Sequence, residues 1–448
     1  MWELLEKMTK AVHLPVPTGP YVPGGVDIMT EYSSSGSFIR LYYPSESVAI
    51  KNRTPQFNNN FQKRWIPWLP DSRYFDGCAR LMGLWKVIVW ATYAIIAGVN
   101  AKIPVYWGSQ FSPLEQEGKE TTTGSTKPQK SKKHPMVIMS HGMAGNRFAH
   151  SALGLEMASH GFVVAVLEHR DGSASGTYYY KSKEMRDKGE KTWLPYKNVK
   201  FGNSIHHEVR KEQVEIRSEE LIKALNLMEK INLGQMDDND NILHGEYAGN
   251  EFKISQMKGR LNVISPAVIG FSFGGPSALT AIKKDFRFRR GIALDVWMFP
   301  IKGEIKEFGE TLASSEASGD PRCKMLFINT ETFHNDINLK ATKELLDLMK
   351  KGSNEPTVAT IRGTTHEYLC DWSLLLGSWL DLMHYGKRLP IHGHQLFCNL
   401  VLQFLAEQYE AEEDSAGLTP ELKSDCDDFL QCQLQHLVFD LMDGKSDQ

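Results

Sequence analysis

The stretch Pro266-Ala267-Val268-Ile269-Gly270-Phe271-Ser272-Phe273-Gly274-Gly275-Pro276-Ser277-Ala278-Leu279-Thr280-Ala281 decides the reading of this chain. Its first four residues are an apolar run of strand type, and Pro276 to Ala281 suit a helix. Between them, Gly270-Phe271-Ser272-Phe273-Gly274 has the G-x-S-x-G spacing of a nucleophilic serine on a sharp strand-to-helix turn. Such a turn lifts the serine oxygen above the sheet and brings the residues two before and two after it close together. Glycine at 270 and 274 removes the side chains that would collide there. The helix that starts near Ser272 sets backbone N–H groups and a positive dipole end beside any developing oxyanion.

Outward from this turn the pattern repeats. Short unbroken apolar runs (Met136–Met139, Phe162–Leu167, Gly291–Leu294, Met325–Ile328, Val358–Ile361) alternate with helical stretches. Runs apolar on both faces are what a helix-covered parallel sheet requires. The expected fold is therefore α/β, a mostly parallel doubly wound sheet with helices on both faces, over residues 1–448 as one domain. Residues 1–77 read as an N-terminal extension with edge strands, Ser37–Tyr43 being a half-exposed strand. Residues 78–101 read as one apolar helix, 115–133 as a polar insertion, 135–410 as the catalytic core and 411–448 as a tail. Residues 204–232 form a long helix with Gly234 as its stop. The acidic run Asp237–Asn241 lacks the glycine and glutamate of a calcium loop and reads as a solvated turn.

A serine nucleophile in this setting needs an acid and then a histidine downstream. Two acids end strands after Ser272: Asp295, 23 residues on, and Glu331, one strand further. Spacing alone leaves both open. His366, in the loop after the last predicted strand, is the histidine in the required place. The second oxyanion N–H is expected from Ser140-His141-Gly142-Met143-Ala144-Gly145 after the first core strand. Met143 is the donor there, beside the Phe273 N–H.

Composition narrows the function. The chain has 448 residues, 41% hydrophobic and 23% charged, which suits a large core and excludes a disordered protein. Fifty-one basic and 54 acidic side chains give a net charge of −3, so a nucleic-acid partner is not expected. Cysteines 78, 323, 370, 398, 426 and 432 fit neither a disulfide framework nor a metal knuckle. No metal or other cofactor is expected. The N-terminus resembles no signal peptide, and Trp2 excludes N-myristoylation. A sequon at Asn52 is followed by Pro55 and has no other sign of secretion. Residues 87–101 carry no charge but are too few to span a bilayer, so an interfacial or buried helix is expected.

Several blocks together resemble one family. They are Ser140-His141-Gly142, Met157–Val166, Glu168–Ser175, Gly270–Gly275, Gly291–Pro300 with Ala293-Leu294-Asp295-Val296-Trp297-Met298-Phe299-Pro300, and Phe327–Glu331. Over about residues 15–410 the chain resembles the platelet-activating factor acetylhydrolases, the lipases also called group VII phospholipases A2. The resemblance implies an α/β-hydrolase fold and a calcium-independent serine esterase. The implied substrate is platelet-activating factor or a related phospholipid, cleaved through an acyl-enzyme at a short (acetyl) or oxidised sn-2 acyl ester. It favours Asp295 over Glu331 and matches the family's histidine loop at Ile361-Arg362-Gly363-Thr364-Thr365-His366. It also implies a phospholipid partner at a membrane or lipoprotein surface. Contacts would come from Leu81, Met82, Leu84, Trp85, Val89 and Trp90, from Trp297, and from a second helix with Trp372 and Trp379. A cytoplasmic location with peripheral membrane association is the matching expectation. The chain departs from the family at Phe271, where histidine is usual, at Glu367 for glutamine and at Met143 for leucine. Two rival readings carry different consequences: a catalytically silent hydrolase fold used as a receptor or scaffold, and a carboxylesterase of other specificity.

Overall fold

The computed structural model describes residues 13–45, 64–97, 100–112, 133–244, 251–313, 323–333, 336–351, 355–377 and 389–410. Nine strands form one sheet: β1 (Pro23–Met29), β2 (Phe38–Pro44), β3 (Tyr106–Trp107), β4 (His134–Ser140), β5 (Val163–Leu167), β6 (Leu261–Phe271), β7 (Arg290–Leu294), β8 (Lys324–Thr330) and β9 (Thr357–Ile361). Their order is β9-β8-β7-β6-β4-β5-β2-β1-β3. From β9 to β5 every pairing is parallel, whereas β2 runs antiparallel to both β5 and β1. The strand carrying the Ser272 turn is thus central, and the sequence of crossovers is that of an α/β-hydrolase fold.

Strand periodicity divides the core in two. Val137, Met139, Val164, Val166, Ile269, Leu294 and Ile328 point to one face. They pack there on α1 (Phe75–Met82), α2 (Lys86–Ile96), α3 (Ser151–Ser159) and α9 (Pro390–Glu410). Met136, Ile138, Val163, Ala165, Val268, Ala293 and Phe327 point to the other. There they meet α4 (His206–Leu233), α5 (Gly274–Lys284), α6 (Ile305–Ala313) and α7 (Asp336–Lys350). Alternate side chains pointing to opposite faces explain why these strands read as unbroken apolar runs.

Three sequence readings meet the structure differently. The long helix is there, and Gly234 caps α4 in the left-handed region at φ 71°. The single helix expected over 78–101 is instead two, α1 and α2, bent by 115°. Gly83 adopts φ 66° after Met82 and its N–H caps the end of α1, which stops the first helix. Among the described residues no single helix is long and apolar enough to cross a membrane. The strand expected to be half exposed, β2, is buried along its whole length. Its polar member, Arg40, is neutralised inside the protein. Trp379, the 411–448 tail, most of the 115–133 insertion, Asn52, and Cys426 and Cys432 lie outside the described residues.

Arg40 belongs to a buried charge network that ties the antiparallel edge to the site. The Asp27 carboxylate accepts from Arg40 Nε at 2.7 Å and from Arg147 Nε and Nη2 at 3.0 and 2.9 Å. Arg147 Nη1 also donates to Glu168 at 2.6 Å. Burial pushes the Asp27 carboxyl up, but Arg147 and Arg40 outweigh it and hold the group at about 2. Asp27→Asn is expected to cost about 3–5 kcal/mol at neutral pH, because it leaves two buried guanidinium groups short of a counter-charge. A carboxyl that titrates lower when folded lends stability above its unfolded pKa and loses it as pH falls towards the folded value. Urea denaturation should therefore show a gap between wild type and Asp27→Asn that narrows below about pH 4.

Candidate active site

The turn at the end of β6 has the geometry its glycines require. Ser272 sits at φ 53°, in the left-handed region that side-chain-bearing residues rarely occupy. A Cβ on Gly270 would stand 2.1 Å from Gly274 O, and one on Gly274 would stand 2.2 Å from Ser140 O. Any side chain at either position would force the turn open. The Ser272 N–H donates to Leu294 O at 2.8 Å, and its carbonyl accepts from Gly275 N–H at 3.0 Å and Trp297 N–H at 3.1 Å. The strained residue is thus held by both neighbouring segments. Phe273, fully buried, forms the N-terminal cap of α5.

Asp295 follows β7 and also has a positive φ, 42°. Its N–H donates to Ile328 O at 2.8 Å. The side chain is completely buried, and its carboxylate accepts from Thr330 N–H at 2.7 Å and Thr330 Oγ1 at 2.6 Å. Its third partner is His366 Nδ1, at 2.9 Å. Burial of an ion is tolerable here because every lone-pair direction used has a donor. Since the carboxylate accepts, Nδ1 carries a proton and Nε2 is the ring nitrogen on the side away from Asp295.

The His366 ring lies between two phenyl rings. Phe333 stacks on it at 4.0 Å between centroids and 11° between planes, and Phe271 at 4.6 Å and 24°. Ring rotation is blocked on both faces, and the imidazole is held beside the residue that precedes Ser272. Glu331, the other acid left open by spacing, makes a different contact. It accepts the Gly363 N–H and so ties down the loop that carries His366.

The loop after β4 runs against the serine turn. A Cβ on Gly142 would lie 3.3 Å from Ser272 Cβ and 3.0 Å from the Phe271 ring. Met143 is half buried there, and Ala144 has φ 51°. Trp297 is half buried, stacked on Phe299 at 5.4 Å and edge-on to Phe273 at 5.6 Å, so it lines the same end of the sheet.

The apolar residues expected at a lipid surface divide between outside and inside. Trp85 is 77% exposed, Trp90 42% and Leu81 37%; Met82, Leu84, Val87 and Ile88 are exposed beside them. Val89 faces the core instead. Trp372 in α8 (Asp371–Leu376) is half buried and packs on Trp68, Phe75 and Tyr93 at 5.0, 6.0 and 6.4 Å. It joins the His366 segment to α1 and α2 through an aromatic cluster.

Sequence reasoning overlooked Thr330 and Phe333. Thr330 ends β8, one residue before the acid that drew notice, and Phe333 stands in a short loop with no pattern to mark it.

The family model for platelet-activating factor acetylhydrolase, isoform II, matches residues 7–428. A platelet-activating factor acetylhydrolase from Canis lupus familiaris is 34% identical over 366 residues, covering 81% of this chain and 69% of its own length. A putative phospholipase A2 from Schizosaccharomyces pombe is 27% identical over 286 residues, 59% of this chain and 57% of its own. Among solved structures, a ferulic acid esterase from Streptomyces cinnamoneus covers 87% of this chain and 91% of its own, at TM-score 0.49 and 14% identity. A match across nearly the whole chain, with a relative above 30% identity, shows that the chain belongs to the platelet-activating factor acetylhydrolase family.

Proposed function

We propose that the chain is a calcium-independent serine esterase that cleaves the short or oxidised sn-2 acyl ester of platelet-activating factor and related phospholipids. The observation that carries this reading is the 2.9 Å bond between His366 Nδ1 and the buried Asp295 carboxylate, beside a serine held at φ 53°. In this mechanism Ser272 Oγ attacks the ester carbonyl while His366 Nε2 takes its proton. Asp295 stabilises the imidazolium that results. The oxyanion is met by the Phe273 and Met143 N–H groups, and each such donor is worth about 3 kcal/mol in the transition state. The imidazolium then protonates the departing lyso-phospholipid oxygen. Water, deprotonated by the same nitrogen, releases the acyl group from Ser272.

Family membership supports the phospholipid substrate, and the test is a panel of phosphatidylcholines with acetyl, oxidised five-carbon and palmitoyl sn-2 chains, run with and without EDTA. The expected order is acetyl or oxidised far ahead of palmitoyl, unchanged by EDTA. Equal turnover of all three, or loss of activity in EDTA, contradicts the proposal.

The exposed Leu81, Met82, Leu84, Trp85, Val87, Ile88 and Trp90 around the α1–α2 bend support peripheral attachment to a lipid surface from the cytoplasm. Replacing Trp85 and Trp90 together by serine is expected to weaken partition into phosphatidylcholine vesicles by about tenfold or more. Co-sedimentation with vesicles, alongside thermal denaturation to verify folding, measures it.

A further inference from the structure

The loop after β4 is wired by hydrogen bonds, and backbone partners fix the direction of those that His141 makes. The His169 backbone N–H reaches His141 Nε2 at 3.2 Å. A backbone amide only donates, so Nε2 is bare and the proton of His141 resides on Nδ1. That Nδ1–H donates to Gly142 O at 2.7 Å. Arg217 Nη2 lies 3.5 Å from the same nitrogen, too long to compete. Gly142 O also accepts the Gly145 N–H at 3.1 Å. With its carbonyl held by two donors from within the loop, the trans peptide of Gly142 and Met143 must turn the Met143 N–H the opposite way.

A second layer holds His141 itself. Arg217 Nη2, buried on α4, donates to the His141 carbonyl and, at 3.3 Å, to Ser140 Oγ. Ser140 Oγ–H donates in turn to His169 Nε2 at 2.8 Å, and His169 Nδ1–H to Glu220 at 2.6 Å. The other Glu220 oxygen accepts the Arg170 N–H at 3.0 Å. Burial, with Arg217 nearby, drives both imidazoles well below the usual histidine range, so both are neutral donors and acceptors rather than cations. Arg217 also lies over the Phe273 ring, 4.7 Å from its centroid, so the same guanidinium braces both segments beside the serine.

We propose that His141 is a positioning residue for ester hydrolysis, locking the Gly142 carbonyl so that the Met143 N–H stays aimed at the oxyanion, with the His169 N–H fixing its tautomer and Arg217 and Glu220 holding the two histidine segments in place. The inference rests on the reading of Met143 as an oxyanion donor and on Ser272 as nucleophile. It assigns a reason for a histidine at 141 that the serine, acid and base do not supply.

The test compares the full-length chain with His141→Ala and His141→Asn on a soluble acetyl ester. Alanine removes the Nδ1 donor, and asparagine returns an N–H at the same branch of the side chain. Expected are a fall in kcat of about 10- to 100-fold for alanine with KM within about threefold, and recovery to within about fivefold of wild type for asparagine. The acid limb of the pH–rate profile should stay where wild type has it, because His141 does not titrate in the reaction. An alanine variant that folds with unchanged kcat, or that raises KM alone, overturns the proposal. If alanine does not fold, His141→Leu takes its place as a filled but donor-free side chain. Should neither fold, asparagine decides alone: loss of more than about 100-fold in kcat overturns the inference, and near-wild-type kcat sustains it. Ser272→Ala is run beside them, since activity surviving that change would sink the underlying reading independently of His141.

Discussion

Ser272→Ala is expected to lower kcat for hydrolysis of a soluble acetyl ester by about four to six orders of magnitude. What remains should be the weak catalysis of an oxyanion site acting on water. The fold should survive, because the hydrogen bonds that hold the turn at Ser272 are made by its backbone: N–H to Leu294 O, and carbonyl to Gly275 and Trp297. Ser272→Gly sharpens the separation of activity from stability. Glycine accepts φ 53° without the cost of about 1–2 kcal/mol that a side chain carries there. It should therefore abolish turnover without a loss of Tm. Kinetics and thermal denaturation on the same preparations measure both effects.

Asp295→Asn should cost about 10⁴ in kcat, while Glu331→Gln should leave kcat within about threefold. The asymmetry follows from proton placement. Asp295 accepts from Thr330 N–H, Thr330 Oγ1 and His366 Nδ1. An amide must keep its oxygen on the Thr330 N–H, which can only donate, and so turns its NH2 towards Thr330 Oγ1 and His366 Nδ1. Nδ1 must then become the acceptor, the ring proton moves to Nε2, and the base for Ser272 is gone. Glutamine at 331 can still accept the Gly363 N–H with its own carbonyl. Steady-state kinetics of the two variants decides between the acids, and a larger loss at Glu331 than at Asp295 would reverse their roles.

Local signals made the serine turn legible. Gly270 and Gly274 sit where any Cβ meets backbone within 2.2 Å, so the spacing in the sequence is itself a statement about geometry. The parallel strands were legible for a similar reason, since each is buried on both faces and lacks a polar alternation. The break between α1 and α2 had a signal too, Gly83, but it lies between Met82 and Leu84 in an apolar stretch whose composition argued for continuity. Strand β2 misled through Arg40, because its partner Asp27 lies on another strand and nothing local marks the pair as buried.

Spacing could not choose between Asp295 and Glu331, since both close a strand on the correct side of Ser272. What separates them is which carboxylate the His366 imidazole faces, Asp295 at 2.9 Å, while Glu331 meets only the Gly363 backbone of the same loop, and that is a property of the folded sheet. Phe333, Thr330 and Arg217 were hidden for the same reason. Arg217 is one of several charged residues on the 28-residue α4, and only the packing of that helix against β4 shows that it meets the His141 carbonyl.

The central claim, that Ser272 is the nucleophile made reactive by His366 and Asp295, is tested most directly by treating the folded protein with diisopropyl fluorophosphate and mapping the adduct by peptide mass spectrometry. The account predicts one phosphoryl group per chain, on the peptide containing Ser272, with esterase activity lost in proportion and labelling slowed by about 10³ or more in His366→Ala. An adduct on another residue, or full esterase activity with Ser272 unlabelled, would contradict it.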